Sequence, residues 1–305
     1  MERSSPRSYT ATIRAITDTT VLFQRASDIP VKVQEGSVDL GITGLDRFLD
    51  MSSEGGDSIL VMENLGYGQC ELVIGVPDSW LDVDSVGDLA DLSLYLREKG
   101  RDLRIATKYP QLVQSYLLSR GVNYFSLVQS SGTLEAAPAM GFADVIADIS
   151  STGTTMRENG LKTLDDGTIL ASQACIIGNK RLLSQQQTTC DSAKRLLEHV
   201  ESYIRARDFF SITANIHGNS PEEIATELIQ RPEAFGLRGP TISKVYNEDV
   251  DTWYSVTLVV PRYNLLSAVD HLRQIGGDSV TVFQAHYVFK EECKSYQDLL
   301  IALGK

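Results

Sequence analysis

Cysteine is scarce in this chain. Only four occur among 305 residues, Cys70, Cys175, Cys190 and Cys293, far apart and without a CxxC pair. That excludes a disulfide framework and a cysteine-built zinc site, and it fits reduced thiols in a cytoplasmic protein. Histidine is equally sparse, and His199, His217, His271 and His286 form no metal-ligand spacing. Basic residues are outnumbered, 28 Lys and Arg against 40 Asp and Glu, so the net charge is −12. No basic face for DNA or RNA is expected from such a balance. No apolar run reaches the roughly 18 residues that a membrane helix requires. The first residues, MERSSPRSY, lack the apolar core of a signal peptide.

What remains is ordinary globular composition, 42% hydrophobic and 22% charged, with length for two or three domains. Strand candidates lie at 21–24, 38–44, 72–76, 104–107, 124–128 and 145–149. Between them, helices are expected at 85–99, 111–120 and 133–140, and one opens near Asp28 and Pro30 and ends at Gly36. This alternation predicts parallel α/β sheets with ligands at the carboxyl ends of strands. After residue 208 the pattern becomes strand 209–216, helix 220–230, strands 241–246 and 253–260, helix 264–274 and strand 279–283. That order is a ferredoxin-like βαββαβ module. Ser220, Pro221 and Glu223 read as a capping box with proline at the first helical position. Tyr254, Val256 and Leu258 alternate with polar positions, as in a half-buried strand.

The most informative stretch is 135–156. A buried-type strand carries one acid, Asp148, and runs into Ser151, Thr152, Gly153, Thr154 and Thr155, then into a helix start at Met156. Strand, small hydroxyl loop and helix start make a cradle for phosphate. An acid just before the loop adds an acceptor for sugar hydroxyls, so the stretch reads as a sugar-phosphate site. A second small-residue loop, Gly41 to Gly44, occupies the same strand-end position and is expected to face the same cleft. No Gly-Lys-Ser/Thr follows either loop, which excludes a Walker A site. By residue type alone, Asp148 equally fits a strand-end cap. Glu135 fits a helix surface, Arg25 and Lys108 fit solvated charges, and Thr43, Gly44 and Asp46 fit a turn.

Glu135, Gly141, Ala143, Ile146, Asp148, Ile149, Thr152, Gly153, Thr155 and Met156 stand at spacings that resemble the signature of the ATP phosphoribosyltransferase family. Further similar segments follow in order: 25–30 (RASDIP), 38–44 (VDLGITG), 65–70 (LGYGQC), 104–110 (RIATKYP), 237–241 (LRGPT) and Ile275-Gly276. The resemblance covers nearly the whole chain and points to the long form with a regulatory domain. It implies a catalytic part like a type II periplasmic binding protein. Lobe I would take 1–78 and 172–205, lobe II 79–171, and the regulatory domain 206–305. It implies transfer of a phosphoribosyl group from 5-phosphoribosyl pyrophosphate to N1 of ATP, with Mg²⁺, as the first step of histidine biosynthesis.

The roles implied follow residue by residue. Ser151 to Thr155 would hold the 5-phosphate, and Asp148 the ribose hydroxyls. Arg25, Thr43, Gly44, Asp46, Lys108 and Glu135 would line the nucleotide side. Leu237, Gly239 and Thr241 would contact a histidine inhibitor, though an inter-domain turn fits those three equally. A homo-oligomer, dimer or hexamer, is the family expectation. The family's opening strand, basic loop and helix, about 35 residues by the size of such a unit, has no counterpart before Arg7. The expectation is a start upstream of Met1. A second reading takes the chain as a non-catalytic histidine-binding regulatory or solute-binding protein.

Overall fold

The computed structural model describes residues 2, 5, 7–52, 55–129, 134–231, 236–246 and 252–305. In chain order the first elements are β1 (Thr10–Thr12), β2 (Thr20–Leu22), α1 (Ile29–Gln34), β3 (Leu40–Gly44), α2 (Leu45–Met51) and β4 (Ser58–Met62). There follow β5 (Cys70–Pro77), α3 (Val86–Glu98), β6 (Leu103–Thr107), α4 (Pro110–Ser119), β7 (Phe125–Gln129), β8 (Val145–Ser150), α5 (Thr154–Glu158) and β9 (Leu161–Ser172). The chain continues through β10 (Ala174–Asn179), α6 (Lys180–Gln185), α7 (Gln187–Ala206), β11 (Phe209–His217), α8 (Pro221–Ile229) and β12 (Thr241–Val245). Last come β13 (Trp253–Pro261), α9 (Leu265–Gln274), β14 (Gly277–Gln284) and α10 (Lys294–Leu303).

These elements form two compact units, Met1–Lys194 with Asp298–Lys305, and Arg195–Gln297. The division falls inside α7, which ends at Ala206 where the regulatory domain is expected to begin. The first unit holds a β1-β2 hairpin, a three-stranded sheet β3-β10-β4 and a five-stranded sheet β7-β6-β8-β5-β9.

The sheets are not parallel throughout, contrary to the sequence expectation. Among the described residues only β6 pairs in parallel, with β7 and β8. β5 runs antiparallel to β8 and β9, and β10 antiparallel to β3 and β4. The reason is topological: the chain enters the larger sheet along β5 and leaves it along β9. β5 therefore belongs to the larger sheet, not to the first lobe as 1–78 implied. The two crossings are bonded to each other. Leu65 N–H donates to the carbonyl of Ala174 at 3.1 Å, and Ala174 N–H donates to the carbonyl of Tyr67 at 3.0 Å. Between β9 and β10 the link is Gln173 alone.

Strand alternation divides the core. Leu72, Ile74 and Val76 of β5 join Leu89 and Leu96 of α3, Ile105 and Leu117 on one face. Val73 of the same strand faces the opposite way, with Ala106, Ile146, Met156 and Leu161. Successive side chains of a strand point to opposite faces, and a continuous apolar run is what a strand covered on both sides requires. The helix expected at 133–140 is instead one 3-10 turn, Leu134–Ala136, followed by turns to Gly141; Thr133 lies outside the described residues. Pro138 offers no N–H, and it biases Ala137 away from helix. Asp28 takes the N-cap position of α1 but makes no side-chain capping bond.

The second unit has sheet order β12-β13-β11-β14, antiparallel throughout, the ferredoxin-like arrangement read from the sequence. Ile212, Ala214 and Ile216 of β11 and Val256, Leu258 and Val260 of β13 pack under Ile224, Leu228, Ala268 and Leu272 of the two helices. Ser220 caps α8 by accepting from the Glu223 N–H at 3.1 Å. The box is only half formed, because Glu223 turns to the N–H and side chain of Asn219 instead.

A complete capping box stands at α3. Ser85 accepts from the Asp88 N–H, and Asp88 accepts from the Ser85 N–H at 2.9 Å. Ser85→Ala removes one side of it and is expected to lower unfolding stability by about 1 kcal/mol in a denaturant titration.

Candidate active site

β8 buries Val145, Ile146 and Ala147 and then delivers Asp148 near its carboxyl end. Ala147 pairs with Thr107 of β6 in parallel, so Lys108 and Asp148 emerge at the same end of neighbouring strands. Their charged groups stand 3.6 Å apart. The Asp148 carboxylate also accepts from the Ile149 N–H at 2.8 Å. Burial raises its pKa above the ordinary 3.8, outweighing the Ile149 bond and Lys108, and the negative Glu135 adds to the rise. Glu135 sits on the 3-10 turn, anchored by buried Leu134.

The loop after Asp148 is shaped by Ser150 and Gly153. The Gly153 N–H donates to Ser150 Oγ at 2.9 Å. Gly153 has φ of 70°, and an added Cβ meets nothing within 4 Å, so glycine is required there by torsion rather than by space. Thr152 and Thr154 hydroxyls lie 3.0 Å apart, and Ser151, Thr152, Thr154 and Thr155 are exposed. Met156 is buried and pins the far end of the loop. α5 has only five residues, so what the loop could offer an anion is hydroxyls and loop amides rather than a summed helix dipole.

The second small-residue stretch, Gly41 to Gly44, is not a loop but the body of β3, paired along its length with β10. Thr43 is buried and donates to the carbonyl of Ala26 at 2.8 Å, which ties the turn bearing Arg25 to β3. Arg25 itself is exposed, and among the described contacts it is not joined to Lys108 or Asp148. At Gly44 a Cβ would stand 2.3 Å from Asp46 Oδ1, so glycine lets Asp46 fold back. Asp46 is 6% exposed and engaged: Ser172 donates to its carboxylate at 2.7 Å and accepts from its N–H at 3.0 Å. Tyr109 stands beside the same carboxylate, and burial followed by that charge raises the phenol's pKa. Arg47 lies over the Tyr109 ring at 4.1 Å and donates to the carbonyl of Lys108 at 3.4 Å. Asp46 thus organises the turn beside Lys108, with its carboxylate already committed to protein partners.

The structure brings Asp148, Lys108, Glu135 and the 151–155 loop together. Ser150, Arg47, Tyr109 and Ser172 were not singled out from the sequence. Ser150 merely extends the hydroxyl run, whereas Ser172 lies 126 residues from Asp46 and carries no local signal. In the second unit, Leu237 is exposed, Gly239 has φ of 102° and Thr241 opens β12. These three lie along one stretch of chain leading into the strand.

A family model described as ATP phosphoribosyltransferase matches residues 25–202, and one described as HisG, C-terminal domain, matches 206–287. ATP phosphoribosyltransferase 1, chloroplastic, of Arabidopsis thaliana is 36% identical over 310 residues, covering 100% of this chain and 75% of that protein. ATP phosphoribosyltransferase of Nitrobacter hamburgensis is 33% identical over 291 residues, 94% of this chain and 85% of that protein. A solved ATP phosphoribosyl transferase (HisG:HisZ) complex from Thermotoga maritima aligns over 60% of this chain and 77% of that one, with 24% identity and a TM-score of 0.47. The chain belongs to the ATP phosphoribosyltransferase family, in its long form.

The raised pKa of Asp148 makes a stability prediction of definite sign. A carboxyl whose folded pKa lies above its unfolded value favours the fold below the ordinary 3.8, and that contribution is lost as pH rises through the folded pKa. Asp148→Asn is therefore expected to melt higher than the parent at pH 7. The difference should shrink toward zero as melts are repeated down to pH 3.5.

Proposed function

We propose that this chain transfers the 5-phosphoribosyl group of 5-phosphoribosyl pyrophosphate to N1 of ATP, releasing pyrophosphate and committing phosphoribosyl to histidine biosynthesis. The observation that carries the assignment is the half-desolvated Asp148 at the head of the exposed Ser151–Thr155 hydroxyl loop, facing Lys108 at 3.6 Å.

In the reaction the C1–oxygen bond to pyrophosphate breaks with its electron pair on the leaving oxygen, and the adenine N1 lone pair forms the new C1–N bond. Positive charge grows on the ribose ring between these events, as in glycoside chemistry. Asp148 accepts from the ribose hydroxyls and sets a negative charge beside that ring in a site shielded from water. Ser151, Thr152, Thr154, Thr155 and the Gly153 amide take the 5-phosphate, exchanging the loop's internal hydrogen bonds for bonds to its oxygens. Lys108 meets the departing pyrophosphate. Glu135 stands at the ribose edge, and Arg25, Thr43 and Gly44 frame the nucleotide side.

Among the described residues no group of three or more His, Cys, Asp or Glu makes a metal cage. That donor set fits Mg²⁺ carried on the substrate's phosphates, with Asp148 and Glu135 as the nearest acids. When bound it supplies charge neutralisation to the leaving oxygens. The 195–297 unit supports feedback inhibition by histidine, with Leu237, Gly239 and Thr241 as contacts, and a homo-oligomer, dimer or hexamer. The four cysteines form no disulfide, which supports a reducing compartment, the cytoplasm or a plastid as for the Arabidopsis relatives. No described helix is long and apolar enough to cross a membrane, and the acidic charge offers nothing to nucleic acid. The membership in an enzyme family weighs against the non-catalytic histidine-binding reading.

Pyrophosphate release from ATP and 5-phosphoribosyl pyrophosphate with Mg²⁺ is the test. The parent chain is expected to release it and to be slowed by histidine. Asp148→Ala should lower kcat/KM by at least about a hundredfold, the range of losing one electrostatic group at a reacting centre. Release that is absent in the parent, or unchanged in Asp148→Ala, overturns the assignment. Thr152→Ala combined with Thr154→Ala should raise KM for 5-phosphoribosyl pyrophosphate at least tenfold and leave KM for ATP within twofold.

A further inference from the structure

α2 reaches from the smaller sheet to the turn that opens α4 in the larger one. Asp50, on the same face as Asp46 one helical turn on, is 6% exposed and accepts from the Leu112 N–H at 3.0 Å. The nearby Gln111 N–H also favours its charge, yet burial raises its pKa. Arg47, between the two acids, holds the Lys108 carbonyl and covers Tyr109. Arg47 and Asp50 of one short helix thus grip residues 108–112 by backbone and ring. The Lys108 side chain is left to point at Asp148. A buried carboxylate raised in pKa is a poor stabiliser. What it does have is the Leu112 N–H at the first turn of α4, whose position sets where Lys108 begins.

Resting on the phosphoribosyl reading above, we infer that Asp50 and Arg47 are positioning residues. They form a strut from α2 to the 108–112 turn that fixes the Lys108 ammonium over Asp148 and so sets affinity for the phosphoribosyl donor. A buried carboxylate does not itself bind a polyanion, so the effect of Asp50 passes through Lys108.

The test is a double-mutant cycle read by calorimetric binding of 5-phosphoribosyl pyrophosphate to the full chain, using the parent, Asp50→Ala, Lys108→Ala and the double variant. Asp50→Ala is expected to weaken binding about tenfold, with binding of ATP within twofold. In the Lys108→Ala background the same change should weaken it less than twofold further. Equal losses in both backgrounds overturn the strut, as does a loss that falls on both substrates alike. If Asp50→Ala does not fold, Asp50→Asn keeps an acceptor oxygen and enters the same cycle. Arg47→Lys, which keeps a donor but loses the planar stack, should show a smaller loss than Arg47→Ala and the same dependence on Lys108. Because binding is measured without turnover, a parent that binds donor but releases no pyrophosphate overturns the catalytic assignment and leaves the strut standing. A parent that does not bind the donor overturns both.

Discussion

The buried Asp46 carboxylate is the constraint around which the site is assembled. A desolvated charge survives only if its oxygens are met, and two distant segments approach it, Ser172 at the end of β9 and Tyr109 before α4, together with its helix neighbour Arg47 at 3.7 Å. Gly44 is part of the same solution, since any side chain there would strike the carboxylate. Satisfying one acid therefore fixes the approach of both sheets, and with it the turn that carries Lys108. Asp148, the acid proposed to meet the ribose, has fewer protein partners, and burial raises its pKa. One carboxylate is committed to structure and the other is held in reserve for ligand.

Much of this was legible in the sequence, for identifiable reasons. The β8 stretch combines an apolar run, one acid and a hydroxyl loop in consecutive residues, so its strand, turn and chemistry are all local. The βαββαβ tail announces itself through strict alternation in β13 and through Ser220 and Pro221 at α8. Parallel sheets were the wrong expectation because β9 and β10 carry no clean signal. β9 contains Asp165, Asp166 and Gly167, which read as a turn, yet it runs through them with register shifts against β5. Nor does alternation of strand and helix reveal that β5, read correctly as a strand, runs antiparallel to β8.

The roles of Asp46 and its neighbours were hidden for a different reason. Asp46 follows a small-residue stretch, which made it resemble a ligand residue. What removes it from solvent is Ser172 and Tyr109, far off in sequence. Arg25 shows the converse. Its segment resembles the family's, but the structure ties down only the backbone beside it, through Thr43 and Ala26. Side-chain type and local spacing say where chemistry is possible; only the fold says which groups are already spoken for.

The paired crossings between the two sheets have a mechanical meaning. One crossing is the single residue Gln173, the other is the 63–69 segment, and hydrogen bonds through Ala174 lace them side by side. Two laced strands behave as a ribbon. A ribbon bends readily across its face, by small torsions shared among a few residues, but it resists sliding along its length because that breaks every rung at once. The two halves of the cleft are thus joined by something closer to a leaf spring than to a loose tether, and it leaves them one easy direction in which to move.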